Sequence, residues 1–254
     1  MNLLTSLRSE ILKTKRTASF YFTLIGAAVV PFIFLLNICM DGVPREFRKD
    51  PLNGMFKAAA EMNGLVIFPL FVILVCTLLP QIEYRNNTWK QVLASPQTKA
   101  NVFIAKFLNI QLFILLFLAV NFVLMFFVFT VTHFVDPGLD LLQQPFNGYT
   151  VLENAVYTFV TILAVCAIQF WLGLRFKNFI IPVATGLALW ITGALLVFKY
   201  QSVLPEYFPY SFHIYNHFPE YRSGRHSPGW NSVAYAALFL IIGFLNFRRR
   251  RMNA

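Results

Sequence analysis

The stretch VFIAKFLNIQLFILLFLAVNFVLMFFVFTV, residues 102–131, runs without an Asp, Glu or Arg. An α-helix rises 1.5 Å per residue, so roughly 20 apolar residues cross the ~30 Å hydrocarbon layer of a bilayer. This stretch exceeds one crossing and is expected to tilt or to project into water at one end. Its apolar residues are continuous rather than alternating, which argues against a strand of a membrane barrel. Five similar runs flank it, at 18–39, 64–82, 154–174, 178–200 and 231–247. Together they predict an all-α membrane protein with six transmembrane helices in a single domain over residues 1–254. Composition points the same way: 57% hydrophobic and 13% charged residues lie far outside the usage of soluble domains. Only Arg175, Phe176 and Lys177 separate the fourth and fifth runs, which calls for a tight antiparallel hairpin.

Positive loops stay in the cytoplasm, so the distribution of Lys and Arg sets the orientation. With both termini inside, the inner side holds Arg8, Lys13, Lys15, Arg16, Arg85, Lys90, Lys99, Lys106, Arg175, Lys177 and Arg248 to Arg251, which is 14 of 21. Acidic residues divide the other way, with only Glu10 and Glu83 of 11 on that side. The net charge of +10 is therefore a topology signal, and nucleic-acid binding is not needed to explain it.

The first 17 residues are not expected to be a cleavable signal, because the run that follows is long enough to span and shows no small-residue cleavage pattern. Within them Leu3, Leu4, Leu7, Ile11 and Leu12 recur at helical spacing, with Arg8, Glu10, Lys13 and Lys15 on the other face. An amphipathic elbow helix over 1–17, lying on the inner leaflet, is the expectation. Cys39, Cys76 and Cys166 are far apart, lack a CxxC pair, and read as small core fillers. His213 and His217 stand four apart with His226 nearby, yet nothing else at ligand spacing joins them, so no metal site is expected.

No GxxxxGK[ST] loop, GxSxG or HExxH occurs, so the chain itself carries no recognisable nucleotide or hydrolytic motif. Polar residues within the runs are mild: Gln111 and Asn121 in the third, Gln169 in the fourth, Thr185 and Thr192 in the fifth. Such groups line a pathway or, more commonly, join helices by hydrogen bonds.

The most hydrophilic interruption is EYRNNTWKQVLASPQTKANVFIAKF, residues 83–107. Asn87 or Thr88 can start a helix, Trp89, Val92 and Leu93 give it an apolar edge, and Pro96 stops it. The loop over 83–101 thus reads as a short amphipathic helix held between two spans. At these residues, and at LRSEILKTKRT (residues 7–17), the chain resembles the permease subunits of ABC-2 type transporters, especially the bacitracin-resistance and lantibiotic-immunity branch. The resemblance extends over essentially the whole chain, and the two segments are its distinctive parts.

In that family the loop after the second span is a coupling helix that docks into a groove on a separate ATPase. The resemblance assigns Glu83, Thr88, Trp89, Lys90, Leu93, Pro96, Lys99 and Lys106 to this interface region, with Trp89 as the aromatic anchor. It implies that ATP and Mg are bound by the partner ATPase, present in two copies, and that no cofactor is bound here. It implies a second permease in a homo- or heterodimer, in a bacterial inner membrane. It also implies short re-entrant helices between the last two spans, where residues 201–230 are rich in Tyr, Phe and Pro. The expected function is ATP-driven export of an amphipathic or hydrophobic substrate: a peptide antibiotic, a lipid-like or a drug-like molecule. The rival reading is a stand-alone membrane immunity protein that sequesters a toxin without an ATPase.

Overall fold

The computed structural model describes residues 2–94, 96–139, 141, 145–200, 204–221 and 227–249. Regular structure among them is helical throughout, without a strand. Helix α1 (Leu3–Thr14) leads into α2 (Ala18–Asp41) through Arg16, whose φ of 60° reverses the chain. α3 (Pro51–Met62) and α4 (Phe68–Arg85) make one continuous crossing. They are joined by a wide π-type turn at Asn63–Ile67. α5 (Trp89–Ala94) is a short helix before α6 (Lys99–Val135). α7 (Gly148–Arg175) and α8 (Ile180–Lys199) form the hairpin. α9 (Phe212–His217) is a short buried helix before α10 (Pro228–Arg248).

Among the described residues, six helical segments are long and apolar enough to cross a membrane: α2, α3–α4, α6, α7, α8 and α10. An even number of crossings puts α1, α5, the α7–α8 turn and the end of α10 on one face, here the terminal face. The described parts of the 42–50, 136–147 and 200–227 connections lie toward the opposite, far face. All six expected runs are helical, and their ends extend by a few residues in most cases.

The largest difference is at the second crossing, which begins at residue 51 rather than 64. Pro51 suits a first helical position, and the Asp50 carboxylate caps it by accepting from the Asn53 backbone N–H at 3.4 Å. Lys57 and Glu61 break the apolar run over 51–62, so hydropathy alone misses this amphipathic part. α6 has 37 residues, about 55 Å at the α-helical rise, and so outruns the hydrocarbon layer as its sequence suggested.

α4 and α7 bury most of their surface inside the chain, whereas α8 and α10 leave apolar side chains such as Ile191, Leu195, Leu238 and Ile241 exposed. α7 packs along α10 and α4, and α2 along α6. Between them Phe71 stacks on Phe117 at 4.4 Å, flanked by Phe68 and a buried shell of Val72, Ile110, Ile114, Ile162 and Val165. Lipid tails are as apolar as these side chains, so close packing and interhelical hydrogen bonds, rather than escape from water, decide which helices pair. Cys76 and Cys166 lie in this core as expected of fillers. Cys39, at the far end of α2, is exposed instead.

α1 also departs from a simple two-faced helix. Ser6, Glu10 and Thr14 turn in against α6, while Leu4 and Leu12 point outward. Glu10, expected on the solvated face, is buried because α6 supplies a counter-charge.

Candidate functional site

The 83–101 loop is mounted on the terminal ends of five helices. α4 ends at Arg85, and Asn87, with φ 54°, turns the chain back. The Thr88 N–H donates to the Glu83 carbonyl at 3.0 Å, and the Val92 N–H donates to the Thr88 carbonyl at 3.0 Å, so Thr88 opens α5. The helix ends at Ala94, ahead of the exposed Pro96, and Thr98 then caps α6 by accepting from the Asn101 N–H at 3.2 Å.

The Trp89 ring is half-buried within the chain. It meets Tyr84 edge-on at 5.3 Å and Phe247 of α10 at 5.9 Å, with the Lys106 ammonium 5.6 Å from its centre. The Tyr84 hydroxyl donates to the Leu174 carbonyl at 2.7 Å, and the Gln81 amide donates to the Phe176 carbonyl at 2.6 Å, fixing the end of α4 to the end of α7. Lys99 donates to the Arg248 carbonyl at 3.1 Å, joining α6 to α10. Lys90 and Gln91 face outward from α5. Leu93 lies on α5, with its side chain outside the described residues.

Beneath this helix lies a buried ionic cluster. Lys106 pairs with Glu83 and, at 2.8 Å, with Glu10. Lys13 pairs with Glu10 at 2.6 Å and Glu83 at 3.4 Å. Lys106 and Glu83 side chains are 3% and 1% exposed, so these two expected interface residues hold α1, α4 and α6 together from inside. Two carboxylates against two ammonium groups leave no net charge, the condition under which buried ions are tolerated. Burial by itself raises the Glu10 carboxyl, but the Lys106 and Lys13 charges hold it below its ordinary 4.5. Burial likewise favours neutral Lys13, yet Glu10 and then Glu83 keep it above its ordinary 10.5.

The four candidate pathway residues separate. The Asn121 amide donates to the Ala27 carbonyl at 2.9 Å, tying α6 to α2, and it also lines an outer cavity. Gln169 donates to the buried Tyr210 hydroxyl at 2.7 Å, linking α7 to the 204–221 segment. Gln111 is buried with neither amide atom bonded among the described residues. Thr185 donates to the Ile181 carbonyl of its own helix at 2.8 Å and is half-buried. Thus two act as helix ties, and one of these also borders open space.

Residues 204–221 are wedged among α7, α8 and α10, with Tyr210, Phe212, His213, Ile214 and Tyr215 buried. The expected segment over 201–230 is therefore seen in part, since 201–203 and 222–226, including His226, lie outside the described residues. Sequence reasoning missed Glu10, Lys13, Tyr84 and Gln81 at the terminal face. A signal existed: Glu10 and Glu83 are the only acids on a side rich in lysine, and isolated acids there call for partners.

Residues 6–193 match the family model described as ABC-2 family transporter protein. The chain belongs to the ABC-2 transporter family. No curated protein matches it closely enough to count as a relative. The match takes in most of α1, the α5 loop and every span through most of α8, and stops before the 204–221 segment and α10. As a membrane component of an ABC transporter, the ABC-2 permease is a transport subunit, in keeping with a sequence that lacks a nucleotide-binding loop.

Proposed function

We propose that this ABC-2 permease works with an ABC ATPase that grips the outward face of α5, and that the terminal face is cytoplasmic. The observation that carries this reading is the mounting of α5: a single short helix touches α4, α6 and α10 at once and sits over the Glu10–Lys106–Glu83 cluster that joins α1, α4 and α6. A push on such a helix moves several spans as a unit. Lys90 is the surface contact, Trp89 and Lys106 position the helix, and the ATP and Mg stay on the partner. The 14-to-7 division of basic residues supports the orientation. Two permeases with two ATPases, identical or related, make the working unit, in a bacterial inner membrane. The substrate is amphipathic or hydrophobic, moved outward as in the bacitracin-resistance and lantibiotic-immunity branch.

Co-expression with an ATP-binding cassette subunit, where one is encoded beside this chain, tests this. Wild type is expected to co-purify the ATPase in a two-plus-two complex by native mass. Lys90→Glu reverses a rim charge and is expected to lower association, most strongly at low salt. Tyr149→Ala, on the far face, is expected to leave association intact. Equal recovery of the ATPase with Lys90→Glu, or none with wild type, would contradict the reading, the latter in favour of a stand-alone protein.

A further inference from the structure

A cavity of about 800 Å³ opens toward the far face within the single chain, between α3, the wide turn, α4, α6, α7 and the end of α9. That volume falls in the range of small-molecule sites, roughly 300–1,000 Å³. Its lining combines two chemistries. The apolar part includes Phe56, Phe68, Phe117, Phe122 and Met125. The charged part, among the described residues, is Asp50, Glu61 and Glu220 against Lys57 alone. Lys57 lies 3.9 Å from Glu61 with its side chain 78% exposed, too loose a pair to neutralise the acidic side.

The wall is built rather than incidental. The wide turn brings Asn63 to the cavity, where the residue is 7% exposed and its amide oxygen has no hydrogen-bond partner among the described residues. A buried carbonyl without a donor costs free energy that a donor-bearing ligand would recover. At the next position, a Cβ on Gly64 would overlap the His217 ring, so only glycine lets α9 close against the turn. His217 and Asn216 both reach the Thr158 hydroxyl, at 3.3 and 3.1 Å, fixing the α9 end to α7. π-type turns recur at functional sites because they displace side chains from the regular helical positions.

We propose that this cavity binds an amphipathic cation, its apolar body on the phenylalanine floor and its positive group, bearing N–H donors in the natural ligand, near Glu61, Glu220 and Asn63. Aromatic faces and carboxylates both favour positive charge, and lipid acyl chains alone leave the Asn63 amide oxygen unpartnered. The site belongs to one chain and needs no ATPase, so its failure would leave the permease reading standing.

The test uses the full chain in a neutral maltoside detergent and two probes of nearly equal shape and opposite charge, tetraphenylphosphonium and tetraphenylborate, measured by equilibrium dialysis. The phosphonium is expected to bind about tenfold or more tightly than the borate, corresponding to ~1.4 kcal/mol of charge selectivity. Glu61→Gln combined with Glu220→Gln is expected to remove most of that preference. Phe122→Ala is expected to weaken binding of the phosphonium while keeping the preference. Equal affinity for the two ions, or an undiminished preference in the carboxamide variant, overturns the proposal. Should that variant fail to fold, the two-ion comparison on wild type and Phe122→Ala decides it.

Discussion

Lys106 is the residue on which the terminal face turns. Its ammonium lies between two carboxylates and near the Trp89 ring, so removing it leaves two buried carboxylates to share the single, partly exposed Lys13. Breaking a buried pair from one side costs about 3–5 kcal/mol, whereas replacing all members with neutral groups of similar volume is often close to neutral. Lys106→Met is therefore expected to lower the thermal midpoint in detergent sharply, and the addition of Glu10→Gln and Glu83→Gln to restore most of it. A wild-type midpoint for Lys106→Met alone would refute the cluster's role. The pH dependence has a definite sign. Glu10 is held below 4.5, so its contribution is present above that value and disappears as pH falls through the lowered pKa. Lys13 is held above 10.5, so its share is full below that value and is lost only as pH rises through the raised pKa. Docking of α1 should be flat across neutral pH and loosen first in acid. The sequence exposed the ingredients of this cluster but not its assembly. Glu83 and Lys106 stood out as polar residues flanking a loop, and only the return of α1 beside α6 turns them inward.

At the scale of elements, the spans were readable because continuous apolar runs have one physical use, while short helices were readable only where their caps and breakers were strong. Asn87, Thr88 and Pro96 bracketed α5 closely. α3 was hidden because Lys57 and Glu61 make it amphipathic, and its hydrophobic face, with Leu52, Met55, Phe56 and Ala59 buried, packs on the bundle rather than on lipid. The 204–221 segment shows a different limit: its aromatic content signalled burial, but its docking depends on a neighbour. A Cβ at Gly193 of α8 would sit 2.8 Å from the Tyr210 carbonyl oxygen, and backbone there cannot swing aside as a side chain can. Gly193→Ala is expected to cost about 1–3 kcal/mol by overpacking, and to expose the segment to proteolysis. Thr185→Ala, which breaks only a bond within α8, should stay within about 0.5 kcal/mol. Thermal unfolding and limited proteolysis of both variants in detergent compare them, and equal behaviour would mean that the segment is not held by α8.

For the whole molecule, the crossing count and helical class follow from hydropathy, whereas orientation rests on charge and the outer cavity on side chains that come together only after folding. Asn63, Glu61 and Glu220 are distant in sequence or pattern from any motif, so nothing marked them in advance. The proposed arrangement has α5 facing the cytoplasm and covered by an ATPase. Its most direct test is accessibility of one position. In a chain with Cys39, Cys76 and Cys166 replaced by alanine, Lys90→Cys is exposed to a membrane-impermeant maleimide in intact cells and in inverted membrane vesicles, with and without the ATPase. No labelling is expected in intact cells, strong labelling in inverted vesicles, and protection when the ATPase is present. Labelling of Lys90→Cys in intact cells would contradict that arrangement.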